Sequence, residues 1–490
     1  MKGSAIAFAG NGLIYALAFV FQLLLVRLLG AGGYGVWGFA LTLAVTVAQF
    51  SVLGLGYGCI YFSSARNAGA AGLAPAGAAR LTFLSALFVS CAASLLLLPA
   101  AKFWIAPAYK LPGLEPLLYI FAAAVPLSAL VLAMEYAFRS RHDASAAFKM
   151  KLSAEGLKLI LIPAALLLFA ADARVAAAAL VAALAVSAVY GAYMTDKLVF
   201  PLRPLFKGSG WPAAAAPLAL YSLPFFLHEV LMTLRDKADT FIIGYFSSAE
   251  YLGMYKGACV LAALISFVPN SVSYLLFPLI NNISGPEHRE ELAAFGRRTI
   301  KLLVYAGVPA VVLLVVLARP LLSVAMGAEF FPAEKALALL AVSSGLGLAH
   351  AFYGQVLAAR ARTGLILMAN ASAFALTLAL DLLLIPEYGI TGAGAASLAG
   401  SLTLAVFVIV PASAEIGARV FPPRAAVFLL LSACFAVMGF GSRGAGAAVL
   451  SGVAAAYCVF WSAWLFFFER EEISRARFGL KAFLASRFGG

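Results

Sequence analysis

Apolar runs of eighteen residues or more recur along this chain, from near its first residues to near its last. A soluble core has no room for so much apolar surface, whereas a hydrocarbon layer roughly 30 Å thick is spanned by about 20 such residues in a helix. With 64% hydrophobic residues, 11% charged and a mean hydropathy of +1.00, the chain reads as an all-α integral membrane protein. Met1-Lys2-Gly3-Ser4 ahead of an apolar run has the look of a signal peptide, but a second span follows almost at once, so the first helix is expected to be retained.

About fourteen spans are expected, near 6–29, 36–61, 81–101, 114–138, 148–170, 175–195, 216–246, 253–280, 302–318, 336–359, 364–385, 390–412, 425–440 and 446–468. The net charge of +13 would suggest nucleic acid in a soluble protein; here its distribution speaks of topology, and no nucleic-acid partner is expected. If the N-terminus is cytoplasmic, most of the 34 lysines and arginines fall on the cytoplasmic side, leaving Arg27, Lys102, Lys110, Arg174, Lys256, Arg319, Lys335 and Arg443 opposite or at its helix ends. That asymmetry favours both termini inside. Five cysteines stand singly in apolar segments and read as small core residues.

Two six-helix lobes are expected, 1–200 and 216–414, joined by a polar cytoplasmic linker at 201–215 and followed by a helix pair at 425–468 and a basic cytoplasmic tail at 469–490. Six passes is an even number, so both lobes enter from one side, which implies a pseudo-twofold along the membrane normal and a central cavity. The longest loop, about 281–301, reads as a basic amphipathic linker. An enzyme such as a glycosyltransferase or polymerase would need a sizeable outer loop or a DxD-type metal site. Asp236-Lys237-Ala238-Asp239 has the wrong spacing and lies within a span, so no enzyme and no metal site is expected.

The strongest functional signal is charge inside a span. Between Pro217 and Phe246 lie His228, Glu229, Arg235, Asp236, Lys237 and Asp239. Each ionised group at the centre of a span costs roughly 2.5–3.5 kcal/mol, so such groups persist where they face protein or a wet cavity. His228, Arg235 and Asp239 are spaced 0, 7 and 11, on one narrow helical face, with Glu229 and Asp236 one step around it. Lys237 falls almost opposite. Alternatively, Arg235 and Asp239 form a self-neutralising i,i+4 pair, or the group sits in the outer headgroup layer. The segment Ala216–Phe246 would be roughly 46 Å long as a straight helix, which leaves room for that. Asp381, Glu135 and the pair Lys158 with Glu155 lie near helix ends and are read as structural.

Three motifs carry a family resemblance: Arg27-Leu28-Leu29-Gly30 with Tyr34-Gly35; Asp239 to Gly244 followed by Tyr251-Leu252-Gly253-Met254-Tyr255, Pro269 and Phe277-Pro278-Leu279-Ile280; and Leu383 to Gly394. Together they resemble the polysaccharide-transporter branch of the multidrug/oligosaccharidyl-lipid/polysaccharide exporter superfamily. The resemblance implies a flippase that carries an undecaprenyl-diphosphate-linked oligosaccharide across a bacterial inner membrane by alternating access, with membrane lipids and polysaccharide polymerase machinery as partners. A lipid II flippase or a multidrug/cation antiporter of the same superfamily is the alternative.

Such a substrate needs a cationic, polar cavity for sugar and diphosphate and an apolar route for the lipid tail. Arg27, Arg235, Lys237 and Lys256 are the candidate phosphate ligands, since arginine binds phosphate bidentately and lysine as a point charge. His228, Glu229, Asp236 and Asp239 are the candidates for coupling or gating. No cofactor is expected; a proton gradient, a sodium gradient or the membrane potential would drive the cycle.

Overall fold

The computed structural model describes residues 2–64, 75–141, 143–200, 211–283, 285–416, 421–442 and 447–469. The expected basic tail lies outside the described residues but for Glu469, as does most of the 201–215 linker. The helices are α1 (Lys2–Ser51), α2 (Leu55–Ser63), α3 (Pro75–Ala100), α4 (Ala106–Tyr109), α5 (Leu114–Ala122), α6 (Ala124–Ser140), α7 (Ala144–Leu168) and α8 (Ala173–Leu198). They continue with α9 (Trp211–Phe246), α10 (Ala249–Asn282), α11 (Arg289–Val316), α12 (Ala318–Ala325), α13 (Glu334–Ala359), α14 (Thr363–Ile416), α15 (Pro423–Gly441) and α16 (Ala447–Phe468). The described residues contain no strand. Nine of their helical segments are long and apolar enough to cross a membrane, or ten if the bent pair α5 and α6 is one span. The molecule is a multi-pass membrane protein.

Two of these segments are hairpins. In α1 the backbone turns at Gly30 (φ 66, ψ 177), a conformation closed to residues with a Cβ. The arms then pack on each other: Tyr34 donates to Gln22 at 2.9 Å and Trp37 meets Phe21 edge-on at 6.4 Å. In α14 Gly389 (φ 56, ψ −136) makes the same kind of turn, and Gly400 of the second arm stacks on Ala373 and Thr377 of the first. The arms of α14 correspond to the spans expected at 364–385 and 390–412. The span expected at 36–61 instead breaks at Val52–Gly54, where Leu53 (φ 54) and Gly54 (φ 66) leave helical geometry before α2 resumes. The loop expected at 281–301 is largely helix, because α10 runs to Asn282 and α11 begins at Arg289.

Helices α1–α8 form one group, α9–α14 a second and α15–α16 a pair; the two larger groups, the lobes, pack on each other chiefly through α1 with α10 and α2 with α9. Helices α1–α8 pack among themselves, around a core in which buried Trp37 meets Phe21, Tyr34 and Phe121. Asp143 and Asp172 cap α7 and α8 by accepting from Ala146 N and Arg174 N, both at 2.9 Å. In the second lobe α13 packs against α10, α11 and α14, and α14 against α9. The pair α15 and α16 rests on α11 through a cluster of Phe428, Phe460, Trp464 and Tyr457. Its end is pinned by Glu469, almost fully buried, which pairs with Lys301 Nζ at 3.2 Å and accepts from the Tyr305 hydroxyl at 3.2 Å.

Candidate functional site

Helix α9 carries the intramembrane charges on a single run of 36 residues. Its polar face meets α14, which repeats the spacing of the charged residues: Asn370, Thr377 and Asp381 stand at 0, 7 and 11, as do His228, Arg235 and Asp239. The two stripes face each other but are not in register, since Arg235 meets Asn370 rather than Thr377. Arg235 Nη1 donates to Asn370 Oδ1 at 2.5 Å, while its Nε and Nη2 reach Asp236 Oδ1 at 3.2 Å. Four residues on, Asp239 lies within electrostatic reach of Asp381.

The expected alternative of an i,i+4 pair between Arg235 and Asp239 is not what forms. Asp239 instead accepts from Thr240 N at 2.5 Å and from the Tyr255 hydroxyl of α10 at 2.6 Å. Asp381 is completely buried, and neither of its carboxylate oxygens has a hydrogen-bond partner among the described residues. A bare buried carboxylate is costly, so it calls for a proton or a cation beside it.

Arg235 and Asp239 border a cavity of about 600 Å³ inside the second lobe; Asp381 and Asn370 are not among its lining residues. Arg235, Asp236, Asp239 and His350 line it with Thr377, Ser343, Ser344, Ser397 and Ser401, over small residues such as Ala262, Ala263, Gly347 and Gly400. Serine hydroxyls across the cavity bond one another, Ser343 to Ser401 at 2.8 Å. The wall therefore offers hydroxyl donors and acceptors with one guanidinium and two carboxylates. On the lipid side of α10 a second, almost wholly apolar groove of about 410 Å³ runs between α10 and the first arm of α1, lined by Tyr15, Phe19, Val20, Val260 and Leu264. Ala263 belongs to both walls.

The other candidates sit on the seam between the lobes. Lys256 lies along Gly38 and donates from Nζ to Thr42 Oγ1 at 2.8 Å, crossing from α10 to α1. Lys237 and Asp239 lie within electrostatic reach of it. Arg27 is not among the cavity-lining residues: its Nε donates to Ala325 O at 2.8 Å and its Nη2 to Val324 O, at the end of α12. In return Glu329 of the second lobe accepts from Ala31 N at 3.0 Å. Beside these latches Gly35 and Gly253 bring backbone onto backbone; a Cβ on Gly35 would lie 2.7 Å from the Gly253 nitrogen.

The opposite end of the seam is closed by different means. Gly54, just before α2, and Gly58 within it abut Phe226, Ser222 and Leu218 of α9, while Tyr57 stacks on Phe225 at 4.8 Å and Tyr61 on Tyr221 at 4.1 Å. Near this end Glu229 is within electrostatic reach of Tyr136, and neither it nor His228 lines the cavity. Glu135 is held by Arg139 and by Lys151 at 2.8 Å, and Glu155 by Lys158 at 2.7 Å, so these are structural pairs.

Two lobes that meet along one seam, with a polar cavity inside one and an apolar groove behind its wall, make a helical membrane fold shared with solved structures. The lipid II flippase MurJ in an inward closed conformation has this fold, with a TM-score of 0.73 and 12% identity over 95% of this chain and 99% of that one. So does a multidrug resistance MATE family transporter in an inward-facing conformation, with a TM-score of 0.66 and 15% identity over 82% and 94% of the two chains.

The family described as "Polysaccharide biosynthesis protein" matches residues 24–335, and the chain belongs to that family. It is also similar to the probable low-salt glycan biosynthesis flippase Agl15 of Haloferax volcanii, 26% identical over 159 residues, which are 32% of this chain. The match spans about a third of that relative's length, 34%.

Proposed function

We infer that this protein is a flippase for a lipid-linked glycan, carrying an undecaprenyl-diphosphate-linked oligosaccharide across a bacterial inner membrane for cell-surface polysaccharide synthesis. The observation that carries this reading is the shared wall of α10: Ala263 separates a hydroxyl-rich cavity from an apolar groove. A head group that must leave water and a tail that must stay in hydrocarbon need those two surfaces side by side. Serines and Thr377 of the cavity would bond sugar hydroxyls, and Arg235 would exchange its exposed partner Asp236 for a phosphate oxygen. No bond of the substrate is made or broken.

In this reading the chain makes fourteen passes with both termini cytoplasmic, so the Gly30 end of the seam is outer and the Gly54 end inner. Lys256 and Arg27 then act between the lobes: Lys256 ties α10 to α1, and Arg27 latches the outer end. Asp239 and Asp381 are the coupling pair, taking up a proton or sodium ion from one side and releasing it to the other. The relatives' transporter roles support a translocator over an enzyme.

The test is Ala263→Trp in proteoliposomes loaded with a fluorescent polyprenyl-diphosphate disaccharide. An indole there fills the wall between head and tail paths, so flipping falls at least about tenfold with the protein still folded. Flipping at the wild-type rate would sink the shared-wall reading.

A further inference from the structure

At the Gly30 end of the seam a cleft of about 580 Å³ opens between the lobes, separate from the cavity and the groove above. One wall is α4 and the segment after it, with Tyr109 and Lys110; the other is the end of α9, the turn and the start of α10, with Tyr245, Phe246, Ser247 and Glu250. Its volume is that of small-molecule sites, about 300–1,000 Å³. Phe39 supports the Tyr109 ring at 4.6 Å, and Tyr245 meets Tyr109 edge-on at 6.1 Å, with Phe246 perpendicular to Tyr245 at 5.0 Å. Tyr245 and Phe246 keep about half their surface free, at 57% and 50%.

The polar groups at this cleft include Lys110, Ser247 and Glu250. Lys110 is held in a left-handed conformation (φ 51) by its own N–H bonding to Ala106 O at 3.0 Å. A π-helical turn at Ala101–Ile105 precedes it and turns α4 toward the second lobe. The Glu250 carboxylate is held by the Ser248 hydroxyl and its own backbone N–H, beside Gly32 of the first lobe.

The geometry points to a pyranose-binding site in this cleft. A pyranose ring has apolar faces of C–H groups that stack on the electron-rich faces of aromatic rings, and a rim of hydroxyls that both donate and accept. Here rings stand on both walls, with an ammonium, a carboxylate and a serine hydroxyl at the rim. Tyr109 and Tyr245 meet edge-on across the seam, so these rings join the two lobes as well as lining the cleft, and Tyr245 and Phe246 keep the free surface that a sugar would cover. The ligand is a sugar of the glycan, and because the walls belong to different lobes, its binding favours the state closed at this end. This assignment rests on the lipid-linked glycan reading above for its source of sugar.

The test is saturation-transfer NMR on the full chain in nanodiscs with methyl glucoside, methyl galactoside, N-acetylglucosamine and glucuronate. At least one of these sugars is expected to receive saturation, with binding weakened about tenfold or more by Tyr245→Ala and by Lys110→Ala. Tyr388→Ala, an exposed tyrosine outside the cleft, should leave binding unchanged, and the melting temperatures of all variants should match. Transfer to none of the sugars, or transfer that survives Tyr245→Ala with Lys110→Ala, overturns the site. Transfer only to a short-chain phosphatidylglycerol would make the rings a membrane anchor and also overturn it. Flipping of the lipid-linked substrate is measured separately, so loss of sugar binding with intact flipping refutes the cleft alone, and sugar binding without flipping refutes the transport reading alone.

Discussion

Arg27→Ala should open the end of the seam that the arginine latches. The guanidinium donates two hydrogen bonds to the Ala325 and Val324 carbonyls across the lobes. A hydrogen bond to a charged group is worth about 1.5–3 kcal/mol when well buried. Arg27 is exposed, so water competes and the pair together contributes nearer to about 1–2 kcal/mol. Every 1.4 kcal/mol is tenfold in a two-state equilibrium, so the closed state should lose about five- to thirtyfold in population relative to the open one. Glu329, still bonded to Ala31 N, remains as the second latch, and Arg27→Ala with Glu329→Gln should shift the equilibrium further. Pulsed electron spin measurements between nitroxides at residues 108 and 388, with the five native cysteines replaced, read the two populations as two distances. An Arg27→Ala distribution that matches wild type within about twofold would refute the latch. A shift toward shorter distances would refute its sign.

Other consequences follow from the same contacts. Asp381→Asn removes a buried carboxylate that has no hydrogen-bond partner among the described residues, so the melting temperature should hold or rise by about a degree or two while flipping falls; a clear loss of stability would mean that the carboxylate is satisfied. Gly253→Val drives a side chain into the Ala31 backbone, and maleimide labelling of cavity-wall Cys259 in an otherwise cysteine-free protein should speed up about fivefold or more, against no change if the clasp can relax. Glu469→Ala removes the buried carboxylate that bonds both Lys301 and Tyr305 and should cost about 1–3 kcal/mol, seen as early release of α15 and α16 in hydrogen exchange; a uniform exchange pattern would argue against that pin.

Much of the fold is legible in the residues because the membrane imposes a length on each helix and glycine marks the turns. The hairpins at Gly30 and Gly389 sit where the apolar runs pause, and the helix pair at the end is set apart by composition alone. The charged face of α9 is equally legible, since periodicity fixes which residues share a face. It does not fix which helix meets that face. Asp381 therefore reads as a helix-end residue from the sequence, and only the packing of α14 on α9 brings it within reach of Asp239. Arg27 shows the same limit: its carbonyl partners lie 297 and 298 residues away, and nothing local to the first hairpin indicates them. Asp239 is taken by Tyr255 rather than Arg235 because the two helices approach closely enough for a hydroxyl to reach it, a matter of packing rather than of pattern.

The central claim is tested most directly by outer-leaflet delivery of a labelled polyprenyl-diphosphate oligosaccharide in proteoliposomes, comparing wild type with Arg235→Ala at matched insertion. The account predicts that wild type delivers the lipid and that Arg235→Ala, whose guanidinium lines the cavity and bonds Asn370, loses at least about tenfold. Delivery by the variant at the wild-type rate, or a wild type that moves only cationic drugs, would contradict it.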